Sequence, residues 1–230
     1  QFTAYILRDM LDVERVEVQR GPQGTLYGRN ALGGNINIIT SRPTDEFEGM
    51  GSLDVGNYGK RTLQSVVSGP LSDSLRARLV VSDEDRDGYV ENIGSGQDLE
   101  NSNYTSVRGA LEFDLTSEVQ IYLNAYHFDS ENLSGVRLPD DYPSSPTFFF
   151  GGPNYWLLNS AGTNPTAVDP FTVRTNAPAR GSDKSSGGSV DVSWNLESIE
   201  FRSLTAYDDS KSNTTNDLDG SDVVNSQADY

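Results

Sequence analysis

Residues 13–43 read VERVEVQRGPQGTLYGRNALGGNINIITSRP. Apolar and charged side chains alternate over residues 13–18, which is typical of a strand with one buried face. Five glycines follow within residues 21–34, and they indicate places where the backbone takes positive φ or lies close to other chain. Residues 35–40, rich in isoleucine, again favour a strand. The stretch therefore predicts two strands joined by a compact turn, with Pro22 beginning a single helical turn.

The segment ERVEVQRGPQGTLYGRNALGGNINIIT resembles the C-terminal end of the plug domain of TonB-dependent outer-membrane receptors. The resemblance is continuous through the whole segment, which makes it far more specific than a lone glycine motif. It departs from the family pattern at Asn35-Ile36-Asn37, where a small apolar residue more often precedes the isoleucine. The resemblance implies that residues 1–43 are the C-terminal part of an α+β plug domain and that a β-barrel follows.

The sequence after Pro43 predicts about seven strands separated by turns that alternate short and long. In one of them Leu111 and Phe113 lie opposite Glu112, so one face is apolar and the other polar. Segments of about nine to eleven residues suit a tilted crossing of a bilayer. The predicted strands lie near residues 47–55, 61–69, 75–82, 107–115, 119–126, 190–196 and 199–207.

Unequal connections favour an outer-membrane barrel, in which short turns face the periplasm and long loops the outside. The long connections are predicted at residues 84–103, which are acidic, and at residues 130–186. The resemblance implies that residues 44–230 are the N-terminal part, about seven strands, of a transmembrane antiparallel barrel of about 22 strands. The apolar face would contact outer-membrane lipid and the polar face would line the lumen.

Composition narrows the classes of partner. The formal net charge is −17, from 34 acidic and 17 basic residues, which argues against nucleic acid because phosphate binding needs a basic surface. Cysteine is absent, so neither a disulfide framework nor a thiolate metal site is predicted. The sequence contains no run of 18 apolar residues, so it predicts no transmembrane helix.

No catalytic, cofactor or metal site is predicted. His127 is the only histidine, and no GxSxG motif accompanies it. The glycines of residues 21–28 lack the GK[ST] ending of a phosphate-binding loop. Residues 83–88, DEDRDG, copy the first half of an EF-hand loop, but Gly94 stands where the bidentate glutamate belongs. Residues 217–222 also resemble part of a calcium-binding loop, and this resemblance is equally weak.

Two groups of residues are candidates for function. The plug motif has a structural and gating role that the resemblance implies. Arg20 is expected to pair with carboxylates of the barrel's inner wall, either on strands after Tyr230 or at Glu112 or Asp114, and a surface arginine is the alternative. Exposed aromatics in the long loop are candidates for ligand contact, although a cluster that folds the loop over the barrel mouth explains them equally well. The plug-motif residues are Arg20, Gly21, Pro22, Gly24, Tyr27, Gly28, Gly33 and Gly34; the loop aromatics are Phe148, Phe149, Phe150, Tyr155 and Trp156.

The resemblance implies a transporter, not an enzyme, in the outer membrane of a Gram-negative bacterium. It would bind a scarce solute, most often a ferric siderophore in this family, and import it with energy transmitted by TonB through a segment outside this chain. The residues do not identify the substrate. The alternative is a secreted, acidic, β-rich module that binds calcium or acts in adhesion, and membrane fractionation separates the two.

Overall fold

The computed structural model describes residues 11–22, 24, 33–92, 97–133, 171–173, 180–217 and 227–229. Within these residues the chain forms twelve strands in three sheets. The strands are β1 (Val13–Arg20), β2 (Gly34–Thr40), β3 (Glu48–Val55), β4 (Arg61–Ser72), β5 (Leu75–Arg86), β6 (Glu91–Asn92), β7 (Ser102–Asp114), β8 (Val119–Leu133), β9 (Thr172–Val173), β10 (Arg180–Leu196), β11 (Ile199–Asp217) and β12 (Gln227–Asp229).

Strands β1 and β2 form an antiparallel pair, here called the N-terminal hairpin. Val18 lies opposite Ile36 and Arg20 opposite Gly34. The two strands predicted from residues 13–18 and 35–40 are therefore confirmed, with β1 two residues longer at its end. Most of the connecting turn lies outside the described residues, although Gly24, within the predicted helical turn, is helical.

An antiparallel sheet of eight strands forms the body of the molecule and is here called the main sheet. Its strand order is β12-β11-β10-β8-β7-β5-β4-β3, so neighbours in the sheet follow one another along the chain. All seven strands predicted after Pro43 are present, and the short β12 adds an eighth at one edge. Strands β6 and β9 lie apart and pair in parallel with each other.

Several strands run farther into the loops than the sequence predicted. Strand β5 continues to Arg86, β8 to Leu133 and β11 to Asp217, so parts of the loops predicted at residues 84–103 and 130–186 are strands. These extensions carry polar side chains on both faces, so they show no apolar alternation. Backbone pairing still continues through them, and cross-strand ion pairs such as Lys184–Asp129 at 2.8 Å accompany it.

The two faces of the main sheet differ as the alternation predicted. On one face, large apolar side chains are exposed, including Leu53 at 68%, Leu79 at 50% and Leu111 at 39%. On the other face, polar side chains are buried, including Ser82 at 0% and Glu112 at 6% exposure. An ordinary soluble sheet buries its apolar face, so this inversion suits a wall with lipid outside and a polar interior.

Connections at the two ends of the main sheet are unequal. Residues 73–74, 115–118 and 197–198 close short turns at one end. Residues 56–60, 87–101, 134–179 and 218–226 connect strands at the other end. The predicted alternation of short and long connections is therefore present.

In the part of the chain that the structure describes, every helix is too short or too polar to cross a membrane.

The apolar face generates a depth-dependent prediction for the full-length protein. Leu111 lies midway along the apolar side of β7, so Leu111→Arg would place a charge near the bilayer centre and cost about 2–4 kcal/mol. We expect a clear drop in folded protein in the membrane fraction, measured by heat-modifiable mobility on gels. The matched control is Thr105→Arg, on the same face near the loop end, where the cost is about 0–1 kcal/mol. Equal folded yields for the two variants would contradict the face assignment.

Candidate functional site

Charged side chains concentrate on the polar face of the main sheet, toward the short turns. Arg76 and Arg78 lie on β5, and Arg108 and Glu112 lie on β7. Their even numbering along in-register strands points them to the same side. Burying such groups costs free energy unless each is paired, so their partners identify what this face contacts.

Asp12, immediately before β1, is one of these partners. Its side chain is 7% exposed, and its Oδ1 accepts a hydrogen bond from Arg78 Nε at 2.8 Å and lies 2.7 Å from Arg78 Nη2 in an ion pair. Arg108 Nη2 pairs with the other carboxylate oxygen, and both arginine side chains are 11% exposed. We call Asp12, Arg78 and Arg108 the Asp12 clasp. It joins the hairpin to two neighbouring strands of the main sheet.

The other end of the hairpin is fixed at the same place. Ser41, just after β2, donates its backbone N–H to the carbonyl oxygen of Asp12 at 2.9 Å. Arg108 Nη2 also donates to the carbonyl oxygen of Ser41 at 3.0 Å. Both ends of the hairpin therefore share one attachment to the main sheet, which we also call the wall.

Arg42 extends the attachment along the polar face. Its Nη1 donates to Glu112 Oε2 at 3.0 Å, and its guanidinium lies 4.7 Å from the centre of the Tyr122 ring. Glu112 also pairs with Arg76, at 3.0 Å. The Glu112 carboxylate is buried between Arg76 of β5 and Arg42, which follows β2. It needs both arginines to offset its desolvation.

Residues 41–45, here called the linker, contact the main sheet through further polar groups. Thr44 donates its backbone N–H to Ser68 Oγ at 3.0 Å, and the two hydroxyl oxygens are 2.8 Å apart. Asp45 pairs with Arg76 at 2.6 Å, although its side chain is 83% exposed. Ser41, Arg42, Thr44 and Asp45 therefore each contact the main sheet before β3 begins.

The structure does not bring Arg20 to Glu112 or Asp114, the pairing expected from the sequence. Arg20 is exposed at the end of β1, whereas those carboxylates pair with Arg42 and Arg76. Eight extended residues separate Asp12 from Arg20, about 26 Å at 3.3 Å per residue. Arg42 was missed because it lies outside the glycine motif, although its position just after β2 placed it next to the wall.

Gly34 is the plug-motif glycine that the backbone requires. Its φ is +141°, and a Cβ built there would lie 2.4 Å from the carbonyl oxygen of Gln19. A Cβ on Gly33 would meet no atom within 4 Å. The predicted close approach with positive φ is thus present at one of the two glycines. Gly21 has φ +93°, Pro22 and Gly24 are exposed, and Tyr27 and Gly28 lie outside the described residues.

The predicted loop aromatics, residues 148–156, also lie outside the described residues. A different aromatic group lies at the loop end of the main sheet. The ring centres of Tyr58 and Tyr89 are 5.9 Å apart, and those of Tyr89 and Phe171 are 6.3 Å apart. The group stands beside the buried cluster of Val90, Leu99 and Leu133. It was missed because its members are scattered over three connections.

The EF-hand-like stretch forms part of a strand. Asp83 and Glu84 lie in β5 on opposite faces, and Asp83 accepts a hydrogen bond from Thr105 at 2.6 Å. His127 is exposed, with its Nδ1 2.7 Å from Ser186 Oγ. Among the described residues, no group of three or more acidic, histidine or cysteine side chains is arranged to hold a metal.

Residues 2–35 match the family described as TonB-dependent Receptor Plug Domain. Over 128 residues the chain is 34% identical to the ferripyoverdine receptor of Pseudomonas aeruginosa, covering 54% of this chain and 15% of that protein. It is 32% identical over 131 residues to the vitamin B12 transporter BtuB of Vibrio vulnificus, covering 54% and 21%. The chain thus spans about a fifth or less of the curated relatives it matches.

Solved structures show the same fold. The ferric-catecholate import receptor Fiu of E. coli K12, in its open form, superposes with a TM-score of 0.67 at 22% identity, over 95% of this chain and 33% of that one. The ferric yersiniabactin uptake receptor FyuA of Yersinia pestis gives 0.63 at 19% identity, over 89% and 29%. Together with the anchored hairpin and the inverted faces of the main sheet, these findings support the assignment of the chain as part of a TonB-dependent outer-membrane receptor.

Proposed function

We propose that the receptor containing this chain imports a scarce solute across the outer membrane with energy supplied through TonB, and that it is not an enzyme. In this proposal residues 1–43 belong to the plug and residues 44–230 to the barrel. The observation that carries it is the attachment of the N-terminal hairpin to the polar face of a wall whose other face is apolar. A hairpin held there occupies the lumen, so a solute passes only when plug segments rearrange.

The substrate class that we propose is a ferric siderophore. Relatives named for ferripyoverdine and for catecholate siderophores support this class. One relative is named for vitamin B12, so cobalamin is the second candidate. Substrate contacts would come from the loop end of the wall, where the rings of Tyr58, Tyr89 and Phe171 contact one another.

Transport in this arrangement needs a plug that is firmly closed at rest. The Asp12 clasp and the linker contacts fix the hairpin to the wall, and Gly34 lets the hairpin strands approach closely. The plug-motif residues, in this proposal, shape the closed plug and do not contact the substrate.

Uptake in an iron-starved host tests the proposed function. In a strain lacking its other siderophore receptors, we expect the full-length receptor to restore accumulation of at least one ⁵⁵Fe-labelled siderophore. A TonB-deficient strain with the same surface level of receptor should lose that accumulation, and labelled cobalamin tests the second candidate in parallel. Receptor recovered in the soluble fraction, or uptake that persists without TonB, would contradict the proposal.

Gly34 offers a test of the plug motif that is separate from uptake. Gly34→Ala forces a Cβ against the Gln19 carbonyl oxygen at positive φ, a strained position that costs about 1–3 kcal/mol. The barrel is held by its own strand pairing, so we expect normal surface abundance with raised entry of large antibiotics. The measurement is the minimal inhibitory concentration of vancomycin at matched receptor levels.

Gly33→Ala is the matched control, because a Cβ at Gly33 meets no atom within 4 Å. We expect it to keep the resistance of the unmodified receptor. Equal antibiotic entry through the two variants would show that the close approach at Gly34 does not keep the plug closed.

A further inference from the structure

The order of contacts along the chain suggests how far the plug rearranges. Asp12 precedes the hairpin, and residues 41–45 follow it. Every described ion pair between the hairpin region and the main sheet lies at these two places. A pull that enters from the N-terminal side meets the Asp12 clasp before it meets either strand of the hairpin.

We propose that the Asp12 clasp is the stop that ends TonB-driven rearrangement, so that sequence before Asp12 moves while the hairpin and residues 41–45 stay on the wall. This inference rests on the proposed TonB-driven import. Asp12 is a positioning residue, since it acts through the hairpin and does not touch the solute.

Three features make the clasp suited to stop a pull. Its carboxylate is buried between two arginines, and withdrawing it would leave Arg78 and Arg108 as buried charges without that partner. Those arginines lie on adjacent strands, so the load is shared by two paired strands of the wall. The Ser41 N–H bond to the Asp12 carbonyl oxygen also couples the start of the hairpin directly to the linker.

Cysteine labelling in whole cells tests the stop. Thr3→Cys reports on sequence before the clasp and Ser41→Cys on the hairpin's far end, where the Arg108 contact uses the backbone carbonyl of residue 41 and survives the change. With a water-soluble maleimide and the transported solute present, we expect labelling at residue 3 to rise several-fold when TonB is active. Labelling at residue 41 should not change with TonB.

Without the ion pairs of Asp12, the TonB-driven rearrangement should extend into the hairpin. In an Asp12→Asn receptor, labelling of Ser41→Cys should become TonB-dependent and rise several-fold. Glu48→Gln is the matched control: its carboxylate lies 3.9 Å from the same Arg78 but is 60% exposed, so labelling should stay as in the unmodified receptor. A structural defect alone would raise labelling equally with and without TonB.

A disulfide checks the same inference without weakening the clasp. The hydroxyl oxygens of Thr44 and Ser68 are 2.8 Å apart, so Thr44→Cys with Ser68→Cys should form a disulfide between the linker and β4. If the linker stays on the wall, oxidised and reduced receptors should import the solute at equal rates.

Each remaining outcome has one meaning. Uptake blocked by the disulfide and restored by reductant would overturn the inference, as would TonB-dependent labelling at residue 41 in the unmodified receptor. The role of Asp12 is overturned if Asp12→Asn leaves labelling at residue 41 independent of TonB while residue 3 responds. No response to TonB at residue 3 would overturn the inference alone if solute uptake still depends on TonB, whereas uptake that is independent of TonB would contradict the proposed import.

Discussion

The interaction on which the position of the N-terminal hairpin depends is the ion pairing of Asp12 with Arg78 and Arg108. It joins a segment near the start of the chain to strands 66 residues and more away. A buried ion pair adds little net stability compared with apolar packing, but removing one partner is costly. Its effect is therefore to fix position. The hairpin can sit on the wall in one register, with Asp12 between the two arginines and Ser41 beside it.

Ion pairs between different elements also cover the rest of the polar face of the wall. Arg42 and Arg76 share Glu112, and Asp191 lies between Arg42 at 3.8 Å and Arg202 at 2.5 Å. Each carboxylate meets arginines from different elements. Charges on one face and apolar side chains on the other give the wall two distinct surfaces, one for the plug and one for lipid. The inversion relative to a soluble sheet follows from this division.

Much of this architecture is predictable from local patterns. The alternation around Leu111 and Glu112 gave both the strand and its faces, and the glycines of residues 33–34 indicated a close approach that the structure places at Gly34. The outer halves of β8 and β10 were missed because their polar residues lack a period-two signal, although the backbone pairing continues. The partners of Glu112 could not be predicted either. Which cation reaches a wall carboxylate depends on the path of the hairpin, and that is decided by Asp12, a residue outside the glycine motif.

The most direct test of this account is amide hydrogen exchange in the intact, purified receptor, measured by mass spectrometry with and without the Asp12→Asn change. If the ion pairs of Asp12 hold the hairpin on the wall, peptides covering β1, β2 and residue 41 should exchange several-fold faster in the variant, while peptides from β4, β5, β7 and β8 should keep their rates. Unchanged exchange in the hairpin would contradict the account, because the hairpin would then be held by something other than the two arginines of the wall.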